Sequence, residues 1–237
     1  AASDVYKRQI EDHRKTVKEV LQRLHDNGMT ISLNKCEWEK KQIDYLGYQI
    51  SEEGLKPLPK KVQALVSLPP PQKQKDLLAF LGAANFWRRS LGGLNKNGKY
   101  FNTAALLQCL YNIATEKGLT AKKFVKKWSE DPQYDKAYQD AKQLLIQAAN
   151  LVHLNPNAPL ALFVDASDQS LGGTLCQRSN KGWSAIGYYS KSLNEAQKKY
   201  SIFRKEMLSL HHSIRHFLPE IIGRDLHCFT DHKSLVD

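Results

Sequence analysis

Three acidic residues stand where they could bind a divalent cation together. Asp165 follows the apolar run 160–164, and Asp231 follows a second apolar run at 226–229. If these runs are neighbouring parallel strands, both acids lie at the same sheet edge, and Glu206 on the flank of a predicted helix could reach it. Carboxylate oxygens favour Mg²⁺ or Mn²⁺, and two such ions can assist phosphodiester hydrolysis. An Asp after a strand can also serve as a turn residue or a helix cap.

The elements that must position these acids are predicted from periodicity. Short apolar strands are expected at 160–164, 173–177 and 183–189, followed by a helix from about residue 194 to 217 and a strand at 226–231. Gly172 and Gly173 favour a tight hairpin turn over a phosphate-binding loop. The buried stripe of the long helix is expected to consist of Phe203, Met207, Leu210 and Ile214.

The first half of the chain reads as helices with a few strands. A helix from His13 should end at the turn that contains Gly28, and two extended runs are expected at 29–38 and 42–51. A short helix precedes the prolines at 69–71, and residues 91–101 read as a loop before further helices at 103–118 and 132–151. Between these, a helix with basic residues elsewhere around it has the apolar stripe Leu77, Phe80, Leu81, Ala84 and Trp87.

The composition indicates a globular chain with a polyanionic partner. The formal net charge is +11 over 237 residues, and residues 51–100 alone carry an excess of six positive charges. A basic surface attracts nucleic acid or anionic lipid. The four cysteines are widely spaced, which argues against a CxxC zinc site and favours a reducing intracellular compartment. No apolar run is long enough to cross a membrane, so we expect no membrane partner.

Several motifs, taken in order, resemble one known family. "FVDASDQSLGGTLCQ", "AIGYYSKSLNEAQKKYSIFRKEMLSL" and "FTDHKSL" look like the ribonuclease H domain of the Pol polyprotein of gypsy-type LTR retrotransposons. "HRKTVKEVLQRLHDNGMTISLNKCEW", "IDYLGYQISEEGLKP" and "LLAFLGAANFWRRSL" look like the end of the palm and the thumb of the preceding reverse transcriptase. The resemblance covers nearly the whole chain from about residue 10.

This resemblance implies an α/β (α+β) fold. The expected fold is a ribonuclease H-like mixed sheet with flanking helices, preceded by a partial palm strand pair and a helical thumb and connection. The implied segments are the end of the palm at 10–52, the thumb at 53–95, the connection or tether at 96–156, and a C-terminally truncated ribonuclease H-like domain at 157–237. Residues 1–9 have no periodicity and are expected to be a non-native leader.

The resemblance also implies roles for matching residues. Asp165, Glu206 and Asp231 match the first three metal-binding and catalytic acids of ribonuclease H, which bind two Mg²⁺ or Mn²⁺ ions. The implied partners are an RNA–DNA hybrid, a template-primer duplex and the rest of the Pol polyprotein, in the cytoplasm, in a virus-like particle, or in the nucleus. Nucleic-acid contacts are expected from the primer-gripping hairpin Leu46, Gly47 and Tyr48, and from the thumb residues Lys75, Trp87, Arg88 and Arg89.

Two departures from the family pattern limit the expected activity. The chain contains no Asp-Asp pair, so the polymerase metal site is expected upstream. The fourth ribonuclease H acid lies several tens of residues after the third in the family, whereas this sequence stops at Asp237. We therefore expect little or no activity from the fragment alone. The alternative function is a non-catalytic nucleic-acid-binding remnant whose acids hold no ion.

Overall fold

The computed structural model describes residues 2–92, 103–180 and 182–232, and it divides the chain into two compact units at residues 40 and 41. The first unit contains helix α1 (Ala2–Asp26) and a short 3-10 helix (Leu33–Lys35). Helix α1 ends as predicted, because Gly28 adopts a left-handed conformation with φ of 70°. The backbone of this helix also includes residues 2–9, the segment expected to be a non-native leader.

The strand predicted at 29–38 is wrong. The described residues there form the 3-10 helix with extended chain on either side, and Ile31, Leu33 and Trp38 are exposed. Alternating apolar residues favour a strand when a neighbouring strand supplies the hydrogen bonds. Among the described residues of this unit, no second strand is available for that pairing.

The second unit begins with a small antiparallel sheet. The extended run predicted at 42–51 is two strands joined by a tight turn, and the third strand follows directly. A bridge between Leu55 and Leu151 ties this sheet to the chain just before the C-terminal sheet. The strands are β1 (Gln42–Tyr45), β2 (Tyr48–Ser51) and β3 (Gly54–Pro57).

Five helices follow and share one apolar core. The predicted stripe of the second of them is confirmed, since Leu77, Phe80, Leu81, Ala84 and Trp87 are all buried in that core. The third helix of the group begins after residues 93–102, so most of the predicted loop at 91–101 lies outside the described residues. The fourth helix, Ala121–Glu130, was not predicted from the sequence. The bounds are α2 (Pro59–Val66), α3 (Gln74–Phe86), α4 (Thr103–Ala114), α5 (Ala121–Glu130) and α6 (Pro132–Ile146).

The C-terminal part is a four-stranded mixed sheet with helices, as predicted for the fold class. The strand order is β6-β5-β4-β7, with β4 antiparallel to β5 and parallel to β7. The predicted long helix is in fact two helices, because the helix is interrupted at Tyr200. Ser201 caps the second helix, and its side chain accepts a hydrogen bond from the Arg204 N–H. The bounds are β4 (Leu160–Ala166), β5 (Ser170–Ser179), β6 (Gly182–Ser192), α7 (Glu195–Lys198), α8 (Ile202–His216), α9 (Leu218–Ile221) and β7 (Leu226–Phe229).

Helix α8 packs on the sheet through small polar residues, which corrects two predictions. Of the predicted stripe, Leu210 and Ile214 are partly buried and pack against the core of the C-terminal sheet, whereas Phe203 and Met207 are exposed. The buried residues of this helix are Lys205, Glu206, Ser209 and Ser213. Gly172 and Gly173 are not in a turn but inside β5. A Cβ on Gly173 would lie 2.2 Å from the Ser213 hydroxyl oxygen, so the glycine is required by the close approach of the helix.

Among the described residues, no helix combines the length and the apolar character that a membrane crossing requires.

Close helix packing at Gly173 can be tested by adding one methyl group. Gly173→Ala should reduce the free energy of unfolding by about 1–3 kcal/mol, because the Ser213 side chain and the helix must move away. Chemical denaturation measures this change. Gly82→Ala is the matched control, since Gly82 lies inside α3 with nothing within 4 Å of an added Cβ. That substitution should raise stability by up to about 1 kcal/mol. Equal effects of the two substitutions would contradict the packing described.

Candidate metal centre and nucleic-acid interface

The three acids named from the sequence meet at one edge of the C-terminal sheet. Asp165 is the penultimate residue of β4, Asp231 follows the end of β7 by two positions, and Glu206 lies in the second turn of α8. One carboxylate oxygen from each of them lies within 4.8 Å of the others. The parallel pairing of β4 with β7, from Leu160 opposite Leu226 onward, brings the strand ends together as predicted.

Glu206 is the buried member of this acid cluster, with a relative exposure of 2%. Its Oε1 accepts a hydrogen bond from the Ala166 N–H at 3.0 Å, and its Oε2 accepts one from the Thr230 hydroxyl at 3.5 Å. The pKa of Glu206 is raised to about 7, mainly by burial; the Ala166 N–H opposes the rise, and the charges on Asp165 and Asp231 contribute to it. The side chain is therefore close to half protonated at neutral pH.

Asp165 feels the same environment more weakly. Burial raises its pKa, and the nearby charge of Asp231 raises it further. Three carboxylates at this separation repel one another when all are ionised, and a cation among them removes that cost. The donor set consists of oxygen atoms alone, which suits a hard divalent ion such as Mg²⁺ or Mn²⁺. The residues present therefore fit the ion that the sequence predicted.

Ser209 is a residue of this site that the sequence analysis missed. Its fully buried hydroxyl lies 2.9 Å from the Asp165 carbonyl oxygen and 2.8 Å from the Gly172 carbonyl oxygen, so its one proton is shared between acceptors on two strands. Ser209 lies one helical turn after Glu206, so this contact fixes the height of the glutamate above the strand ends. The spacing of a small residue three positions after the acid, opposite a Gly-Gly pair, was the available signal.

Lys205 is the cation nearest in sequence to the acid cluster, but it is paired elsewhere. Its Nζ donates to Asp168 Oδ1 at 2.6 Å, and its side chain is buried while Asp168 is exposed. This ion pair lowers the pKa of Asp168 and ties α8 to the turn after β4. It leaves the repulsion within the acid cluster uncompensated.

The hairpin at Leu46 and Gly47 has a strained, exposed tip. Both residues have positive φ, 46° and 79°, as in a two-residue type I′ turn, which normally favours Asn-Gly. An exposed leucine in this conformation is costly, and the Leu46 side chain is 70% exposed. The Gly47 carbonyl accepts from the Trp87 indole N–H at 3.0 Å, and the Tyr48 ring packs on Phe86. The tip is thus fixed to the end of α3.

Three of the predicted thumb residues have other roles in the structure. Trp87 is buried, and its N–H is bonded to the hairpin, so it is a core residue that cannot touch a duplex directly. Arg88 donates to the Ser190 carbonyl, and Arg89 forms an ion pair with Glu220. Trp87 is therefore a core residue rather than one that faces a duplex, and both arginines make contacts within the protein.

The exposed face of α3 presents a different set of residues. Leu78, Gly82 and Phe86 follow one another at a spacing of four, with Lys75 one turn before them, and all are exposed. Leu78 and Gly82 line a groove of about 540 Å³ that also includes Lys191 and Tyr111. Exposed apolar residues grouped on one helix face mark a candidate interaction surface.

The raised pKa of Glu206 predicts a specific pH dependence of stability. The folded state keeps a proton up to about pH 7 that the unfolded chain, with a value of 4.5, has already lost. The stability contributed by this proton is therefore present below about pH 4.5 and is lost as pH rises through 7. We expect the free energy of unfolding of the metal-free chain to fall over this window, by at most about 3 kcal/mol.

Urea denaturation at several pH values measures this fall. Glu206→Gln should flatten the profile and raise stability at pH above 7, because the amide keeps an acceptor for Ala166 and carries no charge. Glu195→Gln is the control, since that carboxylate is exposed on α7 and ion-paired with Lys198. A profile that Glu206→Gln leaves unchanged would contradict the assigned pKa.

The sequence and the fold are similar to those of known proteins. Residues 128–228 match a family model described as an RNase H-like domain found in reverse transcriptase. The Tf2-3 and Tf2-4 transposon polyproteins of Schizosaccharomyces pombe (strain 972 / ATCC 24843) are each 30% identical over 236 residues, which is 98% of this chain and 16% of the relative. The chain thus spans about one sixth of the length of these curated relatives.

Solved structures with the same fold come from foamy virus. The protease-reverse transcriptase in complex with RNA/DNA hybrid superposes with a TM-score of 0.71 at 19% identity, covering 95% of this chain and 29% of that one. The same protein in complex with dsDNA gives a TM-score of 0.73 at 19% identity, covering 95% of this chain and 44% of that one. Over residues 128–228, the chain is therefore similar to the RNase H-like domain found in reverse transcriptase.

Proposed function

We propose that the chain is part of a retrotransposon Pol polyprotein that copies RNA into DNA and hydrolyses the RNA strand of RNA–DNA hybrids. The observation that carries this proposal is the acid cluster, in which three separate elements bring carboxylate oxygens within 4.8 Å of one another. The similarity to transposon polyproteins along 98% of the chain supports it. The rest of the polyprotein would supply the polymerase acids and a fourth nuclease acid, inside the cell.

In the nuclease site, Asp165, Glu206 and Asp231 would hold divalent cations. Two bound ions would supply an activated water and stabilise the leaving oxygen of the phosphodiester. The protein's own part is positional. The Ala166 N–H and the Thr230 hydroxyl orient the Glu206 carboxylate, and Ser209 holds the helix that carries it at the strand ends.

A duplex interface is proposed along α3 and the hairpin tip. Lys75 would contact a phosphate, while Leu78 and Phe86 would flank a close approach at Gly82. The exposed Leu46 and the Gly47 turn lie beside Phe86, which packs against Gly47. A close approach of the duplex at Gly82 would explain why the interior of α3 contains a glycine, which costs up to about 1 kcal/mol relative to alanine. Phosphate contacts and shape, rather than base edges, would recognise an RNA–DNA hybrid.

A non-catalytic nucleic-acid-binding remnant is the second candidate. The observation that favours it is the burial of Glu206, because a protonated Glu206 relieves the repulsion among the three acids without an ion. The basic composition would then serve duplex binding alone. Both candidates bind phosphate, so salt dependence does not separate them.

Magnesium titration separates the two candidates. Calorimetry at pH 8 should give heat of Mg²⁺ binding to the unmodified chain, and Asp231→Asn should abolish it, because one of the three ligands is lost. Asp225→Asn is a matched control, since Asp225 is also exposed and precedes the same strand. Absence of heat in the unmodified chain would favour the non-catalytic remnant. In a chain extended by its downstream coding sequence, Asp165→Asn should abolish Mg²⁺-dependent cutting of the hybrid; retained cutting would refute the role assigned to Asp165.

Substitutions on α3 test the duplex interface separately. Gly82→Leu should weaken binding of an RNA–DNA hybrid by fluorescence anisotropy, because a large side chain blocks the close approach. Lys75→Ala should weaken binding and reduce the slope of log K against log salt by about 1. Lys122→Ala, on the exposed surface of α5, is the control for loss of charge. Unchanged affinity in Gly82→Leu would place the duplex elsewhere.

A further inference from the structure

The segment just after α3 contacts three different parts of the second unit. Trp87 donates to Gly47 at the hairpin tip. Arg88 donates to the Ser190 carbonyl on β6, and Arg89 pairs with Glu220 on α9. Two consecutive arginines thus connect the end of α3 to the C-terminal sheet and to one of its helices. The term "arginine joint" is used below for Arg88 and Arg89 with their acceptors Ser190 and Glu220.

The Arg89 side chain is 46% exposed, and the rest of it packs against β6 and α9. A Cβ added to Gly187 would lie 2.9 Å from Arg89 Nε and 3.2 Å from the Phe217 ring, so the glycine leaves room for the arginine. Phe217 is fully buried, and the Glu220 side chain is 16% exposed. A mostly buried carboxylate needs a compensating cation, and Arg89 supplies it.

Arg88 contacts the sheet on the same cross-strand row as the acid site. Ser190 on β6 pairs with Gly172 on β5, and Gly172 pairs with Asp165 on β4. The carbonyl that accepts from Arg88 is therefore two strands away from Asp165 along one row of paired residues. The Arg88 contact and Asp165 therefore share one row of paired residues that crosses three strands.

We propose that Arg88 and Arg89 are positioning residues that fix the separation between the duplex-facing surface of α3 and the acid cluster. This inference rests on the proposed function, because the separation matters when one duplex contacts both surfaces. The separation between the two surfaces determines which phosphodiester of the duplex reaches Asp165 when α3 binds the duplex at a given position. Both surfaces belong to the same compact unit, and contacts between its elements, such as those of Arg88 and Arg89, set the distance between them.

The joint is tested by a distance measurement that requires neither metal nor nucleic acid. Fluorophores are attached through unnatural amino acids at Ala79 on α3 and His211 on α8, which are both exposed, so the four native cysteines stay in place. Single-molecule energy transfer then gives the distribution of distances. Arg89→Ala should make this distribution about twice as wide, because the ion pair and the packing on Gly187 are lost.

Two further variants keep the test decisive. The reversed pair, Arg89→Glu with Glu220→Arg, should restore a narrow distribution, since the charges are exchanged but still opposite. Gly187→Ala should widen it without any change of charge. Arg215→Ala, which removes an exposed arginine from α8, is the control. A distribution that stays narrow in both Arg89→Ala and Gly187→Ala, with cooperative unfolding retained, overturns the proposal.

The same variants show whether the joint serves the proposed function. In an extended, active chain, Arg89→Ala should spread the cut positions on a hybrid over several neighbouring phosphodiesters, and the reversed pair should narrow them again. If the distances widen but the chain binds no hybrid, the joint stands and the proposed function fails. If the hybrid is cut at a sharp position in every variant, including those with widened distances, the positioning role is wrong.

Discussion

The site depends on how closely α8 approaches the sheet. Large apolar side chains on the inner face of this helix would hold its axis away from β4 and β5. Instead Ser209 reaches two strand carbonyls, and Ser213 fits against Gly173. At this short distance a glutamate side chain is long enough to meet acids at the strand ends. Small residues in the helix and glycine in the strand are therefore what make a three-acid site geometrically available.

The same arrangement works against stability. Glu206 is buried beside two other carboxylates, and the nearby Lys205 is directed to Asp168 instead of neutralising them. Neutral donors, the Ala166 N–H and the Thr230 hydroxyl, hold the carboxylate without removing its charge. A fold that keeps such a cluster sacrifices part of its stability, which is common where a site must receive a ligand of opposite charge.

Much of the architecture was readable from the sequence because apolar periodicity reflects burial. The strands of the C-terminal sheet and the stripe of α3 follow that rule and were predicted. The inner face of α8 was predicted only in part, because Leu210 and Ile214 pack against the core, whereas close packing placed serine beside the strands and left Phe203 and Met207 exposed. Polar contacts between residues far apart in the sequence were not predicted either. No local sequence pattern indicates that the Trp87 indole N–H donates a hydrogen bond to the hairpin forty residues earlier.

The parallel pairing of β4 with β7 also affects the order of folding. The paired residues, such as Leu162 and Cys228, are separated by two strands and three helices of chain. Pairings between such distant residues carry a large entropy cost of loop closure and tend to form late. Asp231 therefore joins the other acids only when the domain is nearly complete. During synthesis, partly folded chains would carry Asp165 and Glu206 without Asp231, so the three-acid cluster is complete only when folding is finished.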